Sequence, residues 1–200
     1  MEKGSAMGSD PTNSSVDFEE ATFGAGCFWC AEAIFERLKG VDEVVSGYSG
    51  GHVENPTYKD VCAGTTGHAE VVQVTYDPAV ISFEELLEVF WKTHDPTTPN
   101  RQGPDIGPQY RSAVFFHDQR QRHLAEDYKR RLEDSNAFDA PVVTEISPLE
   151  KFYPADQYHQ GYYGQNERQP YCSRIIRPKL EKFETVFRNK LKPEAAHHDG

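Results

Sequence analysis

The sequence contains no apolar run approaching the roughly 18 residues that a membrane-spanning helix needs, so none is predicted. Its first residues lack the apolar core of a secretory signal, so we expect a protein of the reducing cytoplasm. Basic residues are scarce, with 21 Lys and Arg against 32 Asp and Glu, and the formal net charge is −11. That charge repels phosphate groups and argues against a nucleic-acid partner.

Cysteine is also scarce. The four cysteines are Cys27, Cys30, Cys62 and Cys172. In a reducing compartment, spaced cysteines more often serve catalysis or bind metal than form a disulfide framework. The body of the chain has no second C-x-x-C pair, so a zinc site would have to recruit isolated residues. A zinc-stabilised binding module is therefore the weaker of the alternative functions.

Polarity changes sharply near both ends of the chain. Residues 1–19 are small, polar and acidic, which predicts a disordered tail or an expression tag. Residues 192–200 are predicted to be a flexible tail. The sequence between them shows no repeat and no linker, so residues 20–191 are predicted to form a single catalytic domain.

Hydrophobic patterns predict strands and helices that alternate along the chain. The predicted strands are 19–26, 41–52, 69–77, 111–118 and 142–147. Helices are predicted after Gly26, after the capping-box residue Ser82, after the capping residue Asp118, and over 180–191.

Two stretches between these elements are predicted to be irregular. Residues 95–109 are rich in Pro and Gly, and residues 153–173 are rich in aromatic residues. Long loops of this kind are often functional. The alternation of the remaining elements favours helices packed on a mixed sheet, in an α/β or α+β layer arrangement.

Cys27 follows the glycine-rich end of the first predicted strand and opens the helix after it. A helix N-terminus carries partial positive charge and unpaired N–H groups, and both favour a thiolate. Gly24 and Gly26 leave room for a reactant to approach the sulfur. We therefore interpret Cys27 as a reactive thiol whose pKa is lowered, rather than as a small buried residue.

Cys30 lies one helical turn after Cys27, so the pair also fits a thiol–disulfide oxidoreductase. That class commonly carries Gly-Pro between its cysteines, whereas this chain carries Phe28 and Trp29. Two bulky aromatic side chains would crowd the docking of another protein's disulfide, but they suit a small substrate with a methyl end. The oxidoreductase remains the main competing function.

Several uncommon strings occur in one order along the chain. They are GCFWC (26–30), SGYSGG (46–51), TGHAEVV (66–72), HDPTTPNRQGPDIGPQYRSA (94–113) and FYPADQYHQGYY (152–163). In these strings the sequence resembles the A-type peptide methionine sulfoxide reductases. The resemblance implies a two-layer α/β sandwich with a ferredoxin-like core, a mixed sheet, covering helices and extensive coil.

The resemblance also implies a function, which is reduction of the S epimer of methionine sulfoxide, free or in proteins. This reaction repairs proteins after oxidative stress. The family needs no metal and no organic cofactor, and it uses thioredoxin as the reductant. We expect a monomer.

Site residues follow from the same resemblance, position by position. Cys27 matches the nucleophile, and Glu70 matches the acid that protonates the departing oxygen. The residues expected to hold the substrate are Tyr48 and Tyr110 at the oxygen, Asp105 as a pocket acid, and Phe28 and Trp29 at the methyl group.

The thiol that resolves the sulfenic acid is left open between two residues. Cys172, in QPYC, matches the position that the family often uses, and it is the favoured candidate. Cys30 is the alternative, or a relay, because many relatives carry Gly there and this chain does not. Cys62 is predicted to be inert in a buried turn.

Overall fold

A computed structural model describes residues 17–193. The strands, in chain order, are β1 (Glu19–Ala25), β2 (Val41–Ser49), β3 (Ala69–Tyr76), β4 (Arg101–Gln102), β5 (Asp105–Ile106), β6 (Ser112–Phe116), β7 (Glu145–Pro148) and β8 (Phe152–Pro154). The α-helices are α1 (Phe28–Phe35), α2 (Tyr58–Cys62), α3 (Phe83–Thr93), α4 (Gln119–Asp134), α5 (Tyr162–Asn166) and α6 (Arg177–Val186). Most of the tails predicted at 1–19 and 192–200 lies outside the described residues, and the predicted domain boundaries remain predictions.

Six strands form the main sheet in the order β7-β6-β1-β3-β2-β8. β6 and β7 are parallel and the other neighbours are antiparallel. The inner four strands follow the order β6-β1-β3-β2, with α1 between β1 and β2 and α3 between β3 and β6. This β-α-β-β-α-β connectivity is the ferredoxin-like arrangement. The predicted fold class is therefore confirmed.

The core lies between this sheet and the helices on one of its faces. Phe23 of β1 stacks on Phe35 of α1 and on Phe83 and Phe90 of α3, with ring centroids 5.2, 6.0 and 5.2 Å apart. Phe23 pairs with Val72 of β3, and both are fully buried. Alternate strand residues face this core because successive side chains point to opposite faces. This packing against the sheet and α3 fixes the position of α1, and with it the residues at the start of α1.

Both predicted helix caps are confirmed. The N–H of Glu85 donates to the Ser82 hydroxyl at 3.2 Å, and the Glu85 carboxylate accepts the N–H of Ser82 at 2.9 Å. The N–H of Gln121 donates to the Asp118 carboxylate at 2.7 Å. These bonds satisfy donors that a helix start leaves unpaired, and so they define where α3 and α4 begin.

Some predicted boundaries differ from the structure. The strand predicted at 142–147 begins only at Glu145, because the Val143 N–H donates to the Pro96 carbonyl in the long loop, at 2.8 Å. The helix predicted over 180–191 is α6, which begins at Arg177 and ends at Val186. Alternating apolar residues predict burial, but they do not identify which backbone group a strand will bond.

The stretches predicted to be irregular contain short elements. Residues 95–109 include the β4–β5 hairpin, and 153–173 include part of β8 and all of α5. Within residues 17–193, no helix is both long enough and apolar enough to cross a membrane.

Candidate active site

Cys27 lies at the junction between β1 and α1, as predicted. It is the N-cap of α1, and its carbonyl accepts the N–H of Cys30 at 3.1 Å. Gly26 before it has a φ of +89°, and a Cβ there would meet the Gln102 side chain at 2.6 Å. Glycine is therefore required both for the turn and for the close approach of Gln102. The turn leaves Cys27 7% exposed, at the edge of the core.

Glu70 is held against the start of the same helix. It is the second residue of β3 and is 2% exposed. Its Oε2 accepts the N–H of Phe28 at 3.0 Å. Burial raises the pKa of Glu70 well above its usual range, and the charges of Cys27 and Asp105 raise it further, while the bond from Phe28 opposes them. The raised pKa favours the neutral carboxylic acid over the carboxylate.

Tyr48 and Tyr110 lie beside Glu70. Tyr48 of β2 pairs directly with Glu70 across the β2–β3 ladder, and its hydroxyl is buried with no hydrogen-bond partner among the described residues. Tyr110 ends a short 3₁₀ turn after β5. Burial, followed by the Glu70 charge, raises the pKa of each phenol, so both remain neutral donors. The Tyr48 hydroxyl is therefore an unpaired donor within the described part of the chain.

Aromatic rings surround the first turn of α1. Phe28 contacts Tyr48 and Tyr58, with ring centroids 5.7 and 6.3 Å apart. Trp29 stacks on Tyr162 at 3.7 Å with an interplanar angle of 8°, and on His159 at 5.7 Å. The predicted pair Phe28 and Trp29 therefore lies in a larger aromatic cluster next to Cys27, which suits an apolar group.

Cys27 and Cys30 behave as a thiol pair. Each side chain shifts the pKa of the other, and both residues are buried. Burial, together with Cys30, raises the pKa of Cys27 well above its ordinary value, although the Trp29 N–H opposes the shift. The pKa of Cys30 is lowered, chiefly because the Cys27 thiol bonds to its sulfur. The lowered pKa that we expected for Cys27 is therefore wrong, because desolvation outweighs the helix N-terminus.

Tyr171 lies next to both Asp105 and Cys172. The Tyr171 hydroxyl donates to Oδ2 of Asp105 at 2.6 Å, and Tyr171 lowers the pKa of Cys27 against the larger effect of burial. Cys172 follows it in a π-helical turn that leads into α6, and it is fully buried. Burial, and then the Cys27 charge, raise the pKa of Cys172. Tyr171 thus brings Asp105 next to the turn that contains Cys172.

Comparisons with known proteins agree with this geometry. A sequence profile of the family described as peptide methionine sulfoxide reductase matches residues 19–191. The chain belongs to the peptide methionine sulfoxide reductase family.

Individual relatives cover nearly the whole chain. Peptide methionine sulfoxide reductase MsrA of Saccharolobus solfataricus is 53% identical over 174 residues, which are 87% of this chain and 97% of the relative. The MsrA of Natronomonas pharaonis is 54% identical over 171 residues, covering 86% and 96%. The crystal structure of Mxr1 from Saccharomyces cerevisiae in reduced form superposes with a TM-score of 0.70 at 34% identity, covering 82% and 91%.

Sequence reasoning missed four residues of this reductase site. His159 and Tyr162 stand in the string FYPADQYHQGYY, which carried the resemblance, so the signal was present but no residue was singled out. Tyr171 directly precedes Cys172, and the sequence pattern indicated only Cys172. Tyr58 opens the short helix α2, and no pattern in the sequence identifies it.

The exposure of Cys62 differs from the burial that the sequence predicted. It is the last residue of α2 and is exposed, so the predicted buried turn is wrong. The buried residue of this helix is its neighbour Val61.

In the part of the chain that the structure describes, no group of three or more His, Cys, Asp or Glu residues is placed to hold a metal ion. The pair Cys27 and Cys30 thus lacks the further ligands that the zinc alternative requires there.

Proposed function

We propose that this protein reduces the S epimer of methionine sulfoxide, free or within proteins, to methionine. Cys27 is the nucleophile and Glu70 is the acid. The observation that carries the proposal is a neutral, buried Glu70 bonded to the first residue of the helix that Cys27 opens. Family membership supports the same substrate class.

The arrangement of donors fits the chemistry of a sulfoxide. The methyl group lies against Phe28 and Trp29, and the oxygen accepts hydrogen bonds from Tyr48 and Tyr110. The sulfur of Cys27 attacks the sulfinyl sulfur while Glu70 gives a proton to the oxygen. The sulfur–oxygen bond of the substrate breaks, the oxygen ends on Cys27 as a sulfenic acid, and methionine leaves. The proton from the Cys27 thiol balances the one that Glu70 gave.

A second thiol then attacks the sulfenic acid, which gives a disulfide and one water. Sequence favours Cys172 for this step, and that preference remains a prediction. The interaction between Cys27 and Cys30, whose side chains shift each other's pKa, supports the alternative. We propose that Cys172 resolves the sulfenic acid, with Cys30 as the alternative thiol or as a relay.

The remaining assignments are proposals of the same kind. Asp105 acts as a pocket acid, and thioredoxin reduces the final disulfide by thiol–disulfide exchange. We propose a cytoplasmic monomer whose residues 20–191 form the catalytic domain, and which repairs oxidised proteins.

A single-turnover experiment tests the proposal. Pre-reduced protein is mixed with S-methionine sulfoxide, and the released methionine and the new disulfide are measured. We expect about one methionine per chain, none from Cys27→Ser, and an unchanged yield from the control Cys62→Ser. Disulfide exchange without methionine release would favour the oxidoreductase instead.

Peptide mapping of the same samples identifies the resolving thiol. A Cys27–Cys30 disulfide after the first turnover of the unaltered protein supports Cys30. This disulfide cannot form in Cys30→Ser, so that variant should retain a sulfenic acid on Cys27 or form a Cys27–Cys172 disulfide. A Cys27–Cys172 bond after the first turnover of the unaltered protein supports Cys172.

A further inference from the structure

Glu32 is a buried carboxylate that the proposed reaction does not use. It lies on α1, two positions after Cys30, and is 1% exposed. Its neighbours Ala31, Ala33 and Ile34 are apolar and buried. Burying an ionisable group costs free energy unless hydrogen bonds compensate for its lost hydration, so the bonds of Glu32 indicate its role.

The carboxylate of Glu32 bonds the backbone of one distant segment. Oε1 accepts the N–H of Gly161 at 3.0 Å, and Oε2 accepts the N–H of Tyr162 at 3.3 Å. Gly161 has a φ of +60° and precedes the short helix α5. The segment therefore depends on outside groups for its placement, because its own regular structure is brief.

A second side chain, Gln160, attaches the same segment to β2. Its amide oxygen accepts the N–H of Ser46 at 2.9 Å, and its amide nitrogen donates to the carbonyls of Ser46 and Ala155 at 2.9 Å each. Gln160 thus fixes the segment to the sheet, whereas Glu32 fixes it to the helix that carries Cys27.

The segment supplies the outer part of the aromatic cluster. Tyr162, whose N–H bonds Glu32, lies flat on Trp29 at 3.7 Å. His159 lies 5.5 Å from Phe28 and 4.3 Å from Tyr58. We propose that Glu32 is a positioning residue, which holds residues 159–162 against Phe28 and Trp29 and so shapes the pocket for the substrate's methyl group. The inference rests on the proposed function of that pocket.

The charge state of Glu32 gives this link a measurable signature. The pKa of Glu32 is raised to about 7, chiefly by burial; the negative charge of Glu36 adds to the shift, and the N–H groups of Gly161 and Tyr162 oppose it. The other group facing it is the Ser46 hydroxyl on β2. Ionisation changes the charge on the two oxygens that accept these N–H groups, so the amides of Gly161 and Tyr162 should report the titration of Glu32.

Nuclear magnetic resonance of the unaltered protein tests the anchor without any substrate. The amide resonances of Gly161 and Tyr162 should titrate together with a midpoint near pH 7, and Glu32→Gln should remove that titration. The matched control is Glu43→Gln, the same chemical change at an exposed residue of β2. Amides that do not titrate, or that titrate equally in Glu32→Gln, would overturn the proposal.

Steady-state kinetics with S-methionine sulfoxide test the consequence for the pocket. Glu32→Gln should raise KM by roughly tenfold, the effect of weakening a contact or two, and leave kcat within about a factor of two. Glu43→Gln should leave both unchanged. An unchanged KM, or an equal loss of kcat and kcat/KM, would contradict a positioning role. An unaltered protein that reduces no sulfoxide would refute the proposed function, whereas the amide titration would still report on the anchor.

Discussion

At the scale of one residue, the unpaired hydroxyl of Tyr48 is expected to lower stability while it contributes to activity. It is 1% exposed and has no hydrogen-bond partner among the described residues. An unsatisfied buried polar group costs about 1–3 kcal/mol, and a structure keeps one only where something compensates. We propose that the compensation is a hydrogen bond to the substrate oxygen.

We predict that Tyr48→Phe raises the free energy of unfolding by about 1 kcal/mol and slows turnover by up to about 10²-fold. Urea denaturation and single-turnover kinetics measure the two effects. The control is Tyr76→Phe, because the buried Tyr76 hydroxyl donates to Glu19 at 2.6 Å and its loss should destabilise the fold. A destabilised Tyr48→Phe would mean that the hydroxyl has a partner in the resting protein.

Glu70 provides the second prediction at this scale. Glu70→Gln can still accept the N–H of Phe28, but it cannot donate a carboxyl proton. Formation of the sulfenic acid should therefore slow by roughly 10²–10⁴-fold, the usual range for general acid catalysis. Rapid-quench measurement of methionine release in one turnover gives this rate. If the rate equals that of the unaltered protein, Glu70 does not donate the proton.

At the scale of an element, α3 shows how local sequence sets a boundary. Ser82 and Glu85 exchange hydrogen bonds at its start, and its apolar face packs on Phe23 of β1. Because the cap is local, its loss should weaken the helix without disturbing the distant site.

We predict that Ser82→Ala lowers the free energy of unfolding by about 1 kcal/mol, the typical cost of removing an N-cap side chain. The matched control is Ser135→Ala at the end of α4, where the hydroxyl donates to the Leu132 carbonyl and is exposed to water that can replace it. Chemical denaturation followed by circular dichroism compares the two. Equal losses in both variants would show that the cap bond is not the source.

At the scale of the whole molecule, two buried groups make stability depend on pH in opposite directions. The pKa of Glu32 is raised from 4.5 to about 7, so the folded protein binds more protons between these values and this contribution is lost as pH rises. The pKa of His94 is lowered from 6.5 to about 4 by burial, so its contribution is lost as pH falls through that range.

We predict that Glu32→Gln removes one of these opposing effects. Its free energy of unfolding should rise more steeply between pH 5 and 7 than that of the unaltered protein, by about 2 kcal/mol over the interval. Urea titrations at pH 5, 6 and 7 measure the difference between the two proteins, in which His94 cancels. Parallel curves would mean that Glu32 has an ordinary pKa in the folded state.

Sequence by itself determined the order of the elements, the caps at Ser82 and Asp118, and the place of Cys27 between β1 and α1. These depend on alternation, on capping chemistry and on glycine conformation, which neighbouring residues decide. The strings that resemble the reductase family also named Glu70, Tyr48 and Phe28, which the fold brings together at the start of α1.

Only the tertiary structure decided the properties that depend on burial and on distant partners. Local sequence places Cys27 at a helix start, which lowers a thiol pKa, yet desolvation by the folded core raises it. The bonds of Glu32 to Gly161 and Tyr162 join residues far apart in the chain, and the exposure of Cys62 depends on which face of α2 meets the core. Hydration and long-range contact are set by packing, which no local pattern encodes.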